Sequence, residues 1–394
     1  MKRVAVVGTG MNADTITIQG LRAVERAEVI IGAPRMTAQF EYLGKTVFSE
    51  YAPDKAAGVI YGNESADFCV LVSGDTGFYS AAEGLCEALK DCTLTLIPGV
   101  SSLSYFFARL KRPWQNAAII SRHGRNANLA DAVRRNPLTF ALTGNNVKNL
   151  ADELIAAGFG GLTVYIGENL GLPGERILTL PVSGLQSEAI NGLTVLLVEN
   201  PHSDRRARSG IPDGEFIRGG IPMTKSETRA ITLSKLALPP ESVCWDIGAG
   251  TGSVTVEMAL AAYEGHVYAL DKKEEAIALV RANCVAFHVG NVTPLLGEAP
   301  AALKGLPAPD TVFIGGSSGR LSDIFNALLN KNPRARVVIN AVALETLDGA
   351  AAAFAAHGID PDISQISVTH VKPLGGLRVL RPASPVFILS GGGG

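Results

Sequence analysis

Residues 243–252 read VCWDIGAGTG. Three apolar residues, Val243, Cys244 and Trp245, lead into Asp246, after which Gly248, Gly250 and Gly252 alternate with small residues. The next stretch, SVTVEMALAAY (253–263), places apolar residues at helical spacing. This pattern predicts a buried strand, a glycine turn and a helix. Glycine is needed where backbone must approach a ligand with no Cβ in the way. A second apolar run, HVYAL (266–270), ends in Asp271. A carboxylate at that strand end can accept hydrogen bonds from both hydroxyls of a ribose. A nucleotide-like ligand is therefore expected.

The turn separates two kinds of ligand. A dinucleotide fingerprint, G-x-G-x-x-G, sets a pyrophosphate on a helix N-terminus. Counted from Gly248, the last position of that pattern is Ser253. The pattern is instead acid-x-G-x-G-x-G, and Asp246 would repel a pyrophosphate but suits a cation. S-adenosyl-L-methionine carries a sulfonium and an ammonium and no phosphate. The turn resembles the first motif of the class I methyltransferases.

The chain has 394 residues, 47% hydrophobic and 18% charged, with a formal net charge of −2. Two or three folded domains are expected. The charge provides no global field toward nucleic acid or membrane. Cys69, Cys86, Cys92, Cys244 and Cys284 are scattered without C-x-x-C spacing, as buried thiols in a reducing compartment would be. No metal-ligand spacing occurs, no apolar run reaches a membrane span, and no secretory signal pattern opens the chain. The expectation is a cytoplasmic protein with no metal.

Toward the N-terminus, Val4–Val7 ends in Gly8-Thr9-Gly10, and apolar runs alternate with helical stretches up to LTVLLVEN (193–200). That alternation predicts α/β architecture. Three loops at strand ends carry glycines and hydroxyls: SGDTGFYS (73–80), PGVSS (98–102) and LTG (142–144). In open α/β sheets such ends form the ligand crevice. Behind V-G-T-G, this series resembles the tetrapyrrole (class III) methyltransferases, a two-subdomain α/β fold. SRHGR (121–125), GENLG (167–171) and Glu175-Arg176-Ile177 resemble the branch that methylates corrin precursors late in cobalamin synthesis. Two loops depart from the family pattern: Met11-Asn12-Ala13-Asp14 follows Gly10 where P-G-D is usual, and Thr76 follows Gly74-Asp75 where proline is usual. The resemblance implies cofactor contacts from Gly74, Asp75, Ser101, Ser102, Leu142 and Thr143, and a catalytic part for Asp75. His123, between Arg122 and Gly124, could face the substrate.

Residues 201–219 are rich in Gly, Pro, Arg and Ser and have no periodicity, which marks a linker between domains 1–200 and 220–394. Arg205, Arg206 and Arg208 are solvated linker charge or a passage for a polycarboxylate. GIPMTK (220–225) then precedes a helical stretch, and further strands are expected at VTPLLGEA (292–299), PDTVFIGGSSGR (309–320) and RARVVINAV (334–342). ISQISVTHVKPL and SPVFILSG are expected to close a mostly parallel, Rossmann-like sheet as a hairpin. The site after the fourth strand reads Ile314-Gly315-Gly316-Ser317 rather than N/D-P-P-Y/F/W, which disfavours an amine-methylating site.

G-I-P-M-T-K, D-I-G-A-G-T-G, L-G-E-A-P and F-I-G-G-S together resemble the carbon-15-methylating, decarboxylating family of cobalamin synthesis. The two resemblances imply methylation of a polycarboxylate corrinoid precursor at carbon-5 by the first domain. They imply methylation at carbon-15 and decarboxylation of the carbon-12 acetate by the second, and a homo-oligomer. Cofactor contacts are implied for Thr224, Asp246, Gly248, Gly250, Gly252, Asp271, Gly297, Glu298, Ala299 and Gly315. By charge and place, Lys225, Arg229, His370 and Arg378 are the candidates to assist loss of CO₂, with Arg229 and Lys225 foremost. A nicotinamide oxidoreductase would need G-x-G-x-x-G, which neither domain has. An RNA methyltransferase should be basic or rich in stacking aromatics, whereas this chain is slightly acidic and 6% aromatic.

Overall fold

The computed structural model describes residues 1–122, 127–144, 146–190, 192–204 and 209–393. The chain divides into two compact units. The first comprises Met1–Arg125, Leu138–Lys148 and Thr163–Glu199. Its first sheet contains β1 (Arg3–Gly8), β2 (Val29–Ile31), β3 (Thr46–Phe48), β4 (Asp67–Val72) and β5 (Thr93–Ile97), in the order β3-β2-β4-β1-β5. All its pairings are parallel, so both faces must be covered. The strands accordingly bury alternate residues on opposite sides. Val4, Val6, Phe68 and Val70 pack with Ala56, Ile60 and Leu85, while Val7, Cys69 and Leu71 pack with Ala23, Val24 and Phe40.

The second sheet of this unit contains β6 (Ala118–Ser121), β7 (Leu138–Leu142), β8 (Thr163–Glu168), β9 (Arg176–Pro181) and β10 (Thr194–Glu199). Its order is β6-β7-β10-β8-β9. Only β6 and β7 run parallel within it. The helix Ser102–Arg109 seats Leu103, Phe106 and Phe107 against Phe140, Val195 and Leu197 of this sheet. Ser101 caps that helix, its Oγ accepting from Ser104 N at 3.1 Å.

The second unit comprises Asn126–Pro137, Asn149–Leu162 and Asn200–Gly394. Its sheet contains β11 (Val243–Ile247), β12 (His266–Asp271), β13 (Val292–Leu296), β14 (Thr311–Ile314), β15 (Arg336–Ala341), β16 (Asp362–Ile366) and β19 (Val386–Gly391). The order is β13-β12-β11-β14-β15-β19-β16, parallel up to β15 and antiparallel at β19 and β16. Trp245, Ile247, Val312 and Ile314 face one core, and Cys244, Val267, Ala269 and Phe313 the other.

Three expectations need correction. The closing pair is β16 with β19. The stretch ISQISVTHVKPL breaks after Ile366, and β17 (Thr369–Leu374) pairs only with β18 (Leu377–Pro382) in a separate two-stranded sheet. Gly375 and Gly376, both at positive φ, make the two-residue turn that a hairpin's twist demands.

Residues 209–219 are not a free linker. Gly210 and Ile211 donate their N–H groups to the Glu257 carboxylate at 2.8 and 3.1 Å, and Ile217 N donates to Asn283 Oδ1 at 2.8 Å. Phe216 is buried, its ring 4.7 Å from that of Phe287. Arg205, Arg206, Arg208 and His123 lie outside the described residues.

A single cut at residue 200 also misses two segments of the first half that belong to the second unit's packing. Asn128 Nδ2 donates to Tyr263 O at 2.9 Å, His288 Nδ1 lies 2.8 Å from Ala157 O, and the rings of Phe159 and His288 stack at 4.4 Å. An amphipathic helix announces that one face is buried, not against which sheet.

Candidate active sites

In the first unit, β1, β4 and β5 end level, with Gly8 opposite Val72 and Val7 opposite Ile97. Their following loops therefore converge. Gly10 and Gly74 exchange backbone hydrogen bonds at 3.1 and 3.0 Å. The half-buried Asp75 carboxylate accepts from Gly77 N at 2.8 Å and from Gly99 N at 3.0 Å, which clasps the second loop to the third. A Cβ at Gly99 would sit 2.2 Å from Gly74 O, so only glycine lets the loops meet. The atypical Met11–Asp14 segment is ordered by Thr15, whose Oγ1 accepts from Met11 N and Asn12 N at 2.7 and 2.9 Å.

These loops line a crevice of about 1000 Å³. Gly74, Asp75, Ser101, Ser102, Leu142 and Thr143 all border it. Thr143 is buried, its hydroxyl donating to Thr194 O at 2.8 Å. The segment from Glu168 to Arg176 borders the crevice through Leu170 and is held by two carboxylates. Arg176 pairs with the buried Glu168 at 2.6 Å, and Glu175 Oε2 accepts from Gly171 N at 2.7 Å. Gly171 lies so close to Met11 that a Cβ there would fall 2.6 Å from the Met11 Cβ.

In the second unit, the glycine turn follows β11 as expected. Gly248, Gly250 and Gly252 all have positive φ, and a Cβ at Gly248 would lie 2.7 Å from Gly316 N. Asp271, at the end of β12, braces the turn. Its Oδ2 accepts from Gly250 N at 2.9 Å and its Oδ1 from Lys273 N at 3.0 Å. The cavity over these strand ends measures about 530 Å³. Thr224, Lys225, Gly248, Gly250, Asp271, Gly297, Glu298, Ala299 and Gly315 line it. So does His370, from the hairpin.

Four expected site residues stand elsewhere. Arg378 is exposed on the hairpin and does not line the cavity. Arg229 has no exposure. Its guanidinium pairs with the equally buried Glu257 at 2.6 Å, lies 3.3 Å from Asp213, and donates to Thr224 O at 2.6 Å and to Ile211 O. It therefore fixes the loops that border the cavity and does not face it. Gly252 begins the helix Ser253–Ala261, backed closely by Val280. Asp246 lies beneath the turn. Thr255 donates to its Oδ2, and its Oδ1 is buried without a partner among the described residues. Burial raises the Asp246 pKa to about 7, with nearby Asp271 adding to the rise and the Thr255 bond opposing it.

The sequence had not pointed to several residues lining the sites. Met11, Arg35 and Tyr79 border the first, and Glu227, Lys272 and Asn340 the second. Lys272 immediately follows Asp271 and so was within reach of sequence reasoning. It donates to Ser318 Oγ at 2.9 Å and lies 3.9 Å from Glu298. Met11, Tyr79 and Glu227 likewise adjoin loops the sequence had marked, whereas Arg35 and Asn340 arrive from other elements.

A seven-stranded sheet of this order, with a glycine turn after its first strand, is a class I methyltransferase unit. The paired five-stranded sheets with converging loops are a tetrapyrrole methylase unit. Family models agree: tetrapyrrole (corrin/porphyrin) methylases match residues 3–186, and a precorrin methyltransferase domain matches residues 215–391. The Sinorhizobium precorrin-6Y C(5,15)-methyltransferase [decarboxylating] is 33% identical over 327 residues, 80% of this chain and 78% of the relative. The chain belongs to the precorrin-6Y C(5,15)-methyltransferase (decarboxylating) family. The Salmonella typhimurium cobalt-precorrin-6B C(15)-methyltransferase (decarboxylating) is 38% identical over 181 residues, 45% of this chain and 93% of the relative. A crystal structure of precorrin-6y C5,15-methyltransferase from Geobacter metallireducens is 36% identical, covering 48% of this chain and 100% of its own, with a TM-score of 0.45.

Proposed function

We propose that the chain carries two S-adenosyl-L-methionine-dependent activities on precorrin-6Y. The first unit methylates carbon-5. The second methylates carbon-15 and removes the carbon-12 acetate carboxyl as CO₂, and the product is precorrin-8X. The observation that carries this reading is the presence, in one chain of this family, of two different methyltransferase folds, each with a crevice at its strand ends.

The residues of the second unit suit an adenosyl ligand with cationic groups. Asp271 retains acceptor capacity beside the turn, because each carboxylate oxygen accepts only one backbone bond. Asp246 Oδ1 is an acceptor under the same turn with no partner among the described residues. The cofactor supplies an electrophilic methyl group. The corrinoid supplies the nucleophilic carbon through its enamine-like system, so the protein's task is to align the two and exclude water. Gly248 and Gly250 give close approach, Asp271 holds the turn rigid, and Arg229 fixes the Thr224 loop from below.

In decarboxylation the C–CO₂ bonding pair passes into the ring as electron sink, and a proton returns to the arm. Desolvation of the carboxylate favours this step. Of the cations considered, Lys225 and His370 line the cavity. We assign the proton return to Lys225, which lies 3.6 Å from Asp213.

No helix among the described residues is long and apolar enough to cross a membrane. We place the enzyme in the cytoplasm as a homo-oligomer, a state that light scattering can check. The deciding experiment is turnover of the reduced corrinoid precursor with labelled methyl donor, read by mass. Gain of two methyl groups with loss of one CO₂ is expected, and any other mass change overturns the proposal.

A further inference from the structure

The β17–β18 hairpin has two unlike faces. The pairing sets His370 opposite Arg381, Lys372 opposite Val379 and Leu374 opposite Leu377. Residues directly opposite share a face, as do residues two apart along a strand. His370, Lys372, Val379 and Arg381 therefore stand on one face, and Val371, Pro373, Arg378 and Leu380 on the other. The first face is the one turned to the cavity. His370 lines the cavity, as do Val368 and Ala383, which continue the same row at the hairpin's base. Three cationic or ionisable side chains thus run outward from the mouth of the second unit's cavity. All three are exposed, and none has an ion pair among the described residues.

The size of the cavity gives this row a purpose. About 530 Å³ is the scale of one small-molecule ligand. With a nucleoside-type methyl donor in place, a macrocycle of four pyrrole-derived rings must lie across the mouth. Its acetate and propionate arms then need cations outside the cavity. Arginine and lysine on one face of a hairpin meet that need by charge-assisted hydrogen bonds.

We propose that the cavity-facing side of this hairpin, through His370, Lys372 and Arg381, binds the peripheral carboxylates of the tetrapyrrole and positions the ring over the methyl-donor site. The assignment rests on the functional reading above. These are positioning residues, since they hold arms remote from the reacting carbon.

The test uses the full chain and the reduced corrinoid substrate, and follows carbon-15 methylation by mass. The double variant Lys372→Glu/Arg381→Glu is expected to raise KM about tenfold or more, with unchanged S-adenosylmethionine affinity by calorimetry and an unchanged melting temperature. The KM increase should shrink as salt rises, because exposed charges are screened. Lys372→Arg/Arg381→Lys, which keeps both charges, should stay near the wild-type KM. Arg378→Glu makes the same charge change on the opposite face and should leave KM within about twofold. A wild-type KM in the double variant overturns the assignment, as does an equal KM increase in Arg378→Glu. A wild-type chain that transfers no methyl to the corrinoid overturns the functional reading itself.

Discussion

The two crevices solve one problem by different means. Each must bring backbone against a ligand at the ends of parallel strands, and each holds its glycine loop with one aspartate. Asp75 joins loops from two separate strands, through Gly77 and Gly99. Asp271 braces a single turn together with the entry to the next helix, through Gly250 and Lys273. In the first unit Gly8 and Gly99 are crowded because strand-end loops touch. In the second, Gly248, Gly250 and Gly252 all take left-handed conformations within one continuous turn. The first site is therefore made chiefly by packing between loops, with Gly10 and Gly74 left-handed as well, and the second chiefly by the conformation of one loop, with Gly248 also packed on Gly316. Mutations should act on the second mainly through backbone strain, and on the first mainly through crowding, with strain the smaller effect there.

The sharpest test of that contrast is Gly99→Ala. The new Cβ would meet Gly74 O at 2.2 Å and Gly8 O at 2.6 Å. Backbone has to move, at about 3 kcal/mol or more, the upper end of overpacking. Carbon-5 methylation should be lost and the first unit should melt early, while carbon-15 methylation persists. Gly74→Ala meets nothing nearer than 3.8 Å, but its φ is +68°. It should lose only about 1–2 kcal/mol, the strain of a left-handed non-glycine residue. Equal effects from the two variants would break the comparison.

Next in size is Arg229→Met. Removing one partner of a buried ion pair leaves the Glu257 charge uncompensated, at about 3–5 kcal/mol. The second unit should lose that stability, and both of its activities should fall with the folded fraction. Arg229→Met/Glu257→Gln should recover part of it: the buried charge is gone, and the amide oxygen can still accept from one of the two backbone N–H groups, Gly210 or Ile211, that the carboxylate serves with separate oxygens. A stable Arg229→Met variant that selectively loses decarboxylation would return Arg229 to a catalytic role.

Asp75→Asn and Asp271→Asn compare the two braces directly. An amide keeps one acceptor oxygen and leaves the other backbone N–H facing a donor, at about 1–3 kcal/mol. Asp75→Asn should weaken carbon-5 methylation alone. Asp271→Asn should both lower the second unit's melting temperature and weaken cofactor binding, because the same carboxylate braces the turn and faces the cavity. Calorimetric titration with melting curves separates the two effects. Unchanged melting with weakened binding would make Asp271 a ligand contact only.

The contrast also explains what could be read in advance. The strand, glycine turn and acid of residues 243–271 are contiguous signals, so those elements were legible nearly residue by residue, although Asp246 and Gly252 do not line the cavity. The loops of the first unit were legible as loops. Their mutual clasp was not, because Asp75 and Gly99 meet only once β4 and β5 are set side by side with β1. Arg229 was misplaced for the same reason: its partners Glu257 and Asp213 lie far along the chain, and an arginine near a glycine motif looks the same buried or free. The segment 209–219 has a linker's composition, but Ile211 and Phe216 anchor it without any period to announce them. In the closing strands the Leu374-Gly375-Gly376-Leu377 turn was a readable signal. It was overrun because the β-branched residues on either side of Ser367 suggested one continuous strand.

The smallest expected effect concerns Asp246, which has no counterpart in the first site. Its pKa is raised to about 7 from an ordinary 3.8, chiefly by burial. A raised acid pKa means that the folded state binds this proton more tightly than the unfolded chain does. The contribution of Asp246 to stability is therefore most favourable at low pH, declines as pH rises from about 4 to about 7, and levels off above. Asp246→Asn cannot titrate, and the amide oxygen can still accept from Thr255. The stability of wild type minus that of Asp246→Asn should therefore fall across that window, which denaturant titrations at pH 5, 6, 7 and 8 can follow. A cationic ligand above the turn favours the ionised form. Cofactor binding to wild type should then release a proton below about pH 7 and tighten as pH rises toward that value. Binding to Asp246→Asn should be weaker and flat with pH. Calorimetry in two buffers of different ionisation enthalpy measures the released proton directly. A pH-independent wild-type affinity with no proton release would mean that Asp246 does not sense the ligand, and that the acid of the turn serves only its packing.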